Sequence, residues 1–115
     1  MNISENNLSW SDFQKVDMRV GTILKAEVFK EANKPAIKLE IDFGELGVKR
    51  SSAQINRLYS PENIIGKQII AVVNFPPKQI ANMMSECLVL AGVDNEIGIS
   101  LLSLDHRLKN GTRIS

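Results

Sequence analysis

Ile37, Leu39, Ile41 and Phe43 are apolar, while the residues between them, Lys38, Glu40 and Asp42, are charged. A period of two over that length predicts a strand with one dry face and one wet face. Upstream, Met18 to Phe29 reads as one long strand whose apolar set changes phase. Val16, Met18 and Val20 point one way, and Leu24, Ala26 and Val28 the other. Gly21 lies between the two sets, so a β-bulge or sharp bend is expected there. Downstream, Val48 to Ile55 carries basic and hydroxyl side chains on both faces and reads as a polar working edge. Ile69-Ile70-Ala71-Val72-Val73 is apolar throughout and mostly β-branched, which suits a strand buried on both sides. Ser85 to Ala91 and Ile99 to Leu104 read as two further strands.

The connections are equally legible. Lys30 to Pro35 is a polar loop, and Gly44-Glu45-Leu46-Gly47 is a turn. Ser60-Pro61-Glu62-Asn63-Ile64-Ile65-Gly66 predicts a short helix: cap, proline at the first position, acid in the first turn, glycine stop. Pro76 and Pro77 cannot lie inside a central strand, so the chain leaves the sheet at Asn74 and crosses an exposed turn carrying Lys78 and Gln79. Asp94 to Gly98 and Asn110-Gly111 are tight turns. Residues 1–8 are polar and read as frayed; Ser9 caps a short helical turn, with Asp12 three residues on and Trp10 and Phe13 giving it an apolar side. Three meandering strands, a short helix and two more strands are the plan of the OB-fold, a partly open Greek-key barrel. The expected fold class is therefore all-β: a five-stranded OB-fold barrel with N- and C-terminal extensions. A long first strand with a bend in it is what such a barrel needs to close.

At 115 residues the chain is expected to form a single domain spanning 1–115. A formal net charge of +1 excludes a polycation, so any nucleic-acid contact must use a local patch. Cys87 is the one cysteine, which rules out an intrachain disulfide. With no signal peptide and no apolar run long enough to span a bilayer, a cytoplasmic protein without membrane insertion is expected. His106 has no second histidine or cysteine near it, carboxylates such as Asp17, Asp42 and Glu86 are scattered, and no phosphate-binding glycine motif occurs. No enzyme, no metal and no cofactor is expected.

What remains is binding. Lys30, Lys34, Lys49, Arg50 and Lys78 can neutralise phosphates, and Ser51, Ser52, Gln54, Asn74, Ser85 and Glu86 can hydrogen-bond sugars or base edges. The competing reading makes these lysines a solvated surface balanced by Glu31, Glu40, Asp42 and Glu45, with Asn74 and Ser85 satisfying backbone groups that the prolines free. Phe75, Pro77, Ile80, Met83 and Met84 offer an adaptable apolar surface for peptide. Against that, Met83 and Met84 pack the turn onto the barrel or onto a second subunit. Cys87, among apolar neighbours, reads as a buried, inert thiol.

Several blocks together carry a resemblance: Asp17-Met18-Arg19-Val20-Gly21-Thr22-Ile23, Lys34-Pro35-Ala36, Ser51-Ser52-Ala53-Gln54-Ile55, Val73-Asn74-Phe75-Pro76-Pro77-Lys78-Gln79-Ile80 and Ser85-Glu86-Cys87-Leu88-Val89-Leu90. In order and content they resemble the CsaA proteins, small export-related chaperones of the tRNA-binding-domain superfamily. The resemblance runs from about Trp10 to Arg113, and the Asn-Phe-Pro-Pro block is its most specific part. One departure is Met83-Met84, where an aromatic residue is expected. The resemblance implies an OB-fold homodimer with residues 1–15 and 100–115 at the interface. It also implies binding of unfolded or precursor polypeptide and of tRNA. It maps the ligand face onto Arg50–Gln54, Asn74–Lys78 and Ser85–Glu86. A dedicated tRNA-binding protein and a purely structural dimer module are the rival readings.

Overall fold

The computed structural model describes residues 6–115, so residues 1–5 of the expected frayed terminus lie outside the described part. A five-residue helix, α1 (Trp10–Gln14), opens the described chain, and Ser9 Oγ accepts from the Asp12 amide at its start. The long first strand forms as β1 (Met18–Val28) and pairs antiparallel with β2 (Ile37–Asp42), which pairs with β3 (Val48–Ala53). The apolar run forms β4 (Gln68–Val72), buried at every position, on the other side of β1. Between β3 and β4 the expected helix is a single 3-10 turn, Pro61–Asn63, whose Asn63 Oδ1 accepts from the Ser60 amide.

The segment expected as one strand from Ser85 to Ala91 is broken into pieces. The proline turn leads into a small hairpin, β5 (Lys78–Ile80) and β6 (Met83–Ser85). Next come β7 (Leu88–Val89) on the free edge of β4 and β8 (Ala91–Asp94), which pairs with β9 (Gly98–Leu101) as a separate hairpin. β10 (Arg113–Ile114) returns to β1. The sheet order β3-β2-β1-β4-β7 curls until its ends nearly meet, giving an OB-type barrel.

The ends are joined by hydrogen bonds around one point instead of a ladder. The Glu86 amide donates to Arg50 O at 2.8 Å, the Arg50 amide donates to Glu86 Oε1 at 3.0 Å, and Ser51 Oγ donates to Cys87 O at 2.8 Å. Inside lie Ile23, Ile37, Leu39, Ile41, Phe43, Ile55, Ile64 and Ile69. The alternation of β2 therefore resolves as read, with its apolar members all buried.

The bend in β1 is not at Gly21. The register against β2 slips between Ile23 and Lys25, so Leu24 is the extra residue and is turned outward. Gly21 has another role: a Cβ there would lie 2.6 Å from Ile41 Cγ2 and 2.7 Å from Phe43 Cε1. The barrel closes so tightly at this point that only glycine fits.

Candidate functional site: the outer face of the first three strands

Strand alternation decides which side chains share a surface. Register places Arg50 opposite Glu40, and Ser52 opposite Lys38, while Glu40 lies opposite Lys25 and Lys38 opposite Glu27. These residues form the outer face. Lys49 is opposite Ile41, whose side chain is in the core, so Lys49 and Arg50 point to opposite faces and do not form one basic patch. Ser51 shares the inward face and is 1% exposed, bonded to Cys87 O, so it closes the barrel and is not a surface contact. Its neighbour Cys87 is buried, which pushes the thiol up to about 11 despite the Ser51 hydrogen bond. A thiol held protonated in this way is a poor nucleophile.

On the outer face lies a groove of about 500 Å³ with an apolar lining from Leu24, Ala26 and Ile65 and rims from Lys25, Lys38, Glu40 and Arg50. The charges are largely paired among themselves. Lys38 Nζ is 3.0 Å from Glu27 Oε1, Lys25 Nζ is 4.0 Å from Glu40 Oε2, and Arg50 Nε is 3.7 Å from Glu86 Oε1. A groove so neutralised is not a phosphate track. Lys25, Lys38 and Asn82, which line it, were absent from the expected set; the wet side of the β2 alternation was the available signal for Lys38.

One end of the groove is built by tertiary packing. Ile80 and Met83, paired across the β5–β6 hairpin, sit on Phe29, Ala32 and Ala36 at the β1–β2 loop. Met83 is buried there, so it anchors the hairpin and leaves its neighbour Met84 exposed on the opposite side. Lys78 lies two residues from Ile80 on the same face of the hairpin. The hairpin therefore brings Lys78 to the end of the barrel that carries Lys30 and Lys34, all three exposed. Lys38 Nζ, already paired with Glu27, also lies 5.3 Å from the centre of the Phe29 ring. At the hairpin tip Ala81 has φ of 50°, a left-handed conformation that costs a residue with a side chain about 1 kcal/mol or more. Such strain is stored where the shape of a loop matters.

The remaining expected residues divide in two. Phe75, Pro77 and Gln54 are exposed, with Phe75 at 56%. Asn74 and Ser85 are structural as well as accessible. Asn74 Oδ1 accepts from the Asp17 amide at 3.1 Å, its Nδ2 donates to Lys15 O at 2.6 Å, and Ser85 Oγ donates to Cys87 O at 3.4 Å. Asn74 thus ties the exit of β4 to the end of α1. Among the described residues no cluster of three or more His, Cys, Asp or Glu could hold a metal ion, and no helix is long and apolar enough to cross a membrane.

The chain belongs to the class of tRNA-binding domains: the family model for the tRNA-binding domain matches residues 18–113, the span of this OB-type barrel. Within it, the chain belongs to the CsaA family. It is 56% identical to the chaperone CsaA of Bacillus anthracis, covering 95% of this chain and 99% of that one with a TM-score of 0.90. It is 50% identical to the CsaA chaperone protein of Picrophilus torridus, covering 95% and 100% with a TM-score of 0.88. Among curated proteins it is 35% identical over 107 residues to the methionine–tRNA ligase of Bdellovibrio bacteriovorus, covering 93% of this chain. The chain spans only 15% of that ligase's length.

Proposed function

We propose that this protein is a cytoplasmic, homodimeric chaperone of the CsaA type. It holds unfolded or precursor polypeptides bound for export and binds tRNA at the loop-and-hairpin end of the barrel, without catalysing a reaction. The observation that supports the reading is the seating of Ile80 and Met83 on Phe29, Ala32 and Ala36, which docks the hairpin carrying Lys78 on the loop carrying Lys30 and Lys34, with Met83 also lining the groove. Lysines on short loops suit phosphates, and a groove whose rim charges are already paired suits the mixed chemistry of an extended polypeptide. Phe75, Pro77 and Met84 offer further exposed apolar surface outside the groove.

Salt separates the two activities. tRNA binding by the full chain, followed by fluorescence anisotropy, is expected to fall steeply as salt rises, whereas binding of an apolar peptide holds or strengthens. Absence of peptide binding together with salt-sensitive tRNA binding would leave the second reading, a dedicated tRNA-binding protein, which the ligase relatives favour. Binding of neither ligand would end both.

The dimer proposal rests on apolar side chains that one barrel leaves uncovered. Trp10 is 82% exposed on α1, and Val93 and Ile97 are 70% and 65% exposed on the β8–β9 hairpin. Isolated exposed residues are ordinary, but a tryptophan bared on a helix with no buried residue calls for a partner. Sedimentation equilibrium is expected to give twice the chain mass at micromolar concentration, and Trp10→Ser or Val93→Asp to shift it toward one. A monomer across that range refutes the dimer.

A further inference from the structure

We propose that Asn110, followed by Gly111, is a deamidation site held shut by the C-terminal strap (residues 108–114), so that release of the strap is converted into a permanent chemical change. This is independent of the ligand reading above. Asn110-Gly111 is the chain's one Asn-Gly pair. With no side chain on Gly111, its backbone nitrogen can approach the Asn110 amide carbon once the segment is free. The nitrogen gives up its proton and bonds to Cγ, and the Cγ–Nδ2 bond breaks, releasing ammonia. Water then opens the cyclic imide at either carbonyl to give aspartate or isoaspartate.

In the folded chain both reacting groups are pinned. The Gly111 amide donates to Val20 O at 2.8 Å, and the Val20 amide donates to Thr112 O at 3.0 Å, so the nucleophilic nitrogen is locked against β1. Asn110 Oδ1 accepts from Thr22 Oγ1 at 2.7 Å and from Gln68 Nε2 at 3.1 Å. Thr22 and Gln68 are themselves buried, so the Asn110 side chain is fixed by two donors that cannot move freely. Gln68 also grips the strap one step earlier, its Oε1 accepting from the Leu108 amide at 3.2 Å. Gly111 has φ of 90°, and a Cβ there would meet Phe43 O at 2.6 Å. Isoaspartate adds a backbone atom at this close approach, so the Gly111–Val20 bond cannot re-form in register. Local opening of a terminal segment is the ordinary low-energy excursion of a fold, and here each excursion exposes a reactive pair.

The test incubates the full chain and a peptide of residues 106–115 at mildly alkaline pH and follows the one-dalton mass gain and isoaspartate at Asn110. The folded chain is expected to react roughly tenfold or more slowly than the peptide. Thr22→Val, which removes one donor while keeping shape, and Gln68→Ala are expected to accelerate it toward the peptide rate. Circular dichroism on each variant separates loss of the clamp from loss of the fold. Deamidated chain, isolated by charge, is expected to show fast hydrogen exchange at the Val20 amide. Equal rates in chain and peptide overturn the proposal, as does a rate unmoved in both folded variants. Full protection at Val20 after conversion to isoaspartate overturns the permanence of release.

Discussion

Replacing Lys30, Lys34 and Lys78 together with alanine is expected to remove most of the salt dependence of tRNA binding while leaving peptide binding intact. Each phosphate contact to single-stranded or looped RNA contributes a logarithmic salt slope of about 0.7. With about four such contacts the parent chain should bind about fiftyfold more weakly after a fourfold rise in salt, and a variant keeping one contact only about threefold. All three lysines are exposed and, among the described residues, their side chains make no hydrogen bond or ion pair, so stability should stay within about 0.5 kcal/mol. Anisotropy titrations over a salt series read the slope directly. An unchanged slope would move the RNA surface elsewhere on the barrel. Loss of peptide binding in the same variant would show that one surface serves both ligands.

Phe43→Ala is expected to destabilise the fold by about 3–5 kcal/mol, a large part of the stability of a domain of this size. Phe43 is fully buried at the end of β2, and its ring fills the space that the missing side chain of Gly21 leaves over β1. Truncation removes the ring from the tightest point of the barrel and leaves a cavity that rigid strands on both sides cannot collapse. Its carbonyl also lies against Gly111, so the strap should loosen with it. Urea unfolding followed by circular dichroism measures the shift in midpoint. A cost below about 1 kcal/mol would mean that the barrel is not packed around this ring.

Within the fold, what was legible came from local patterns. The period-two stretch from Ile37 to Phe43 gives β2 and the residue after it, with every apolar member inside, and the run from Ile69 to Val73 gives the buried β4 except for Val73, which lies half-buried beyond its end. The proline pair lies outside every strand, as a residue without an N–H requires, but β4 ends at Val72, before the expected exit at Asn74. The bulge was misplaced by three residues because a glycine in a strand signals either a bend or a close approach. Only the packing of Phe43 against Gly21 distinguishes the two.

The site was less legible. Lys49 and Arg50 are adjacent in the chain, yet the pleat sends them to opposite faces, and Ser51 between Arg50 and Ser52 is swallowed by barrel closure. Asn74 and Glu86, candidate ligand contacts in the sequence, also hydrogen-bond at the α1–β4 junction and the β3 seam, relations that only the folded chain displays. Lys25, Lys38 and Asn82 went unnoticed because their relation to Arg50 exists only across strands and across a hairpin fold.

By itself, then, the order of residues determined the first four strands, the dry face of β2 and the family to which the chain belongs. These are set by contacts and propensities a few residues long, which survive in one dimension. The tertiary structure alone decided which polar side chains share a surface, which are consumed in closing the barrel, and how the hairpin carrying Lys78 comes to rest beside Lys30 and Lys34. Those outcomes depend on register and curvature, and both are properties of strands meeting other strands far away in the chain.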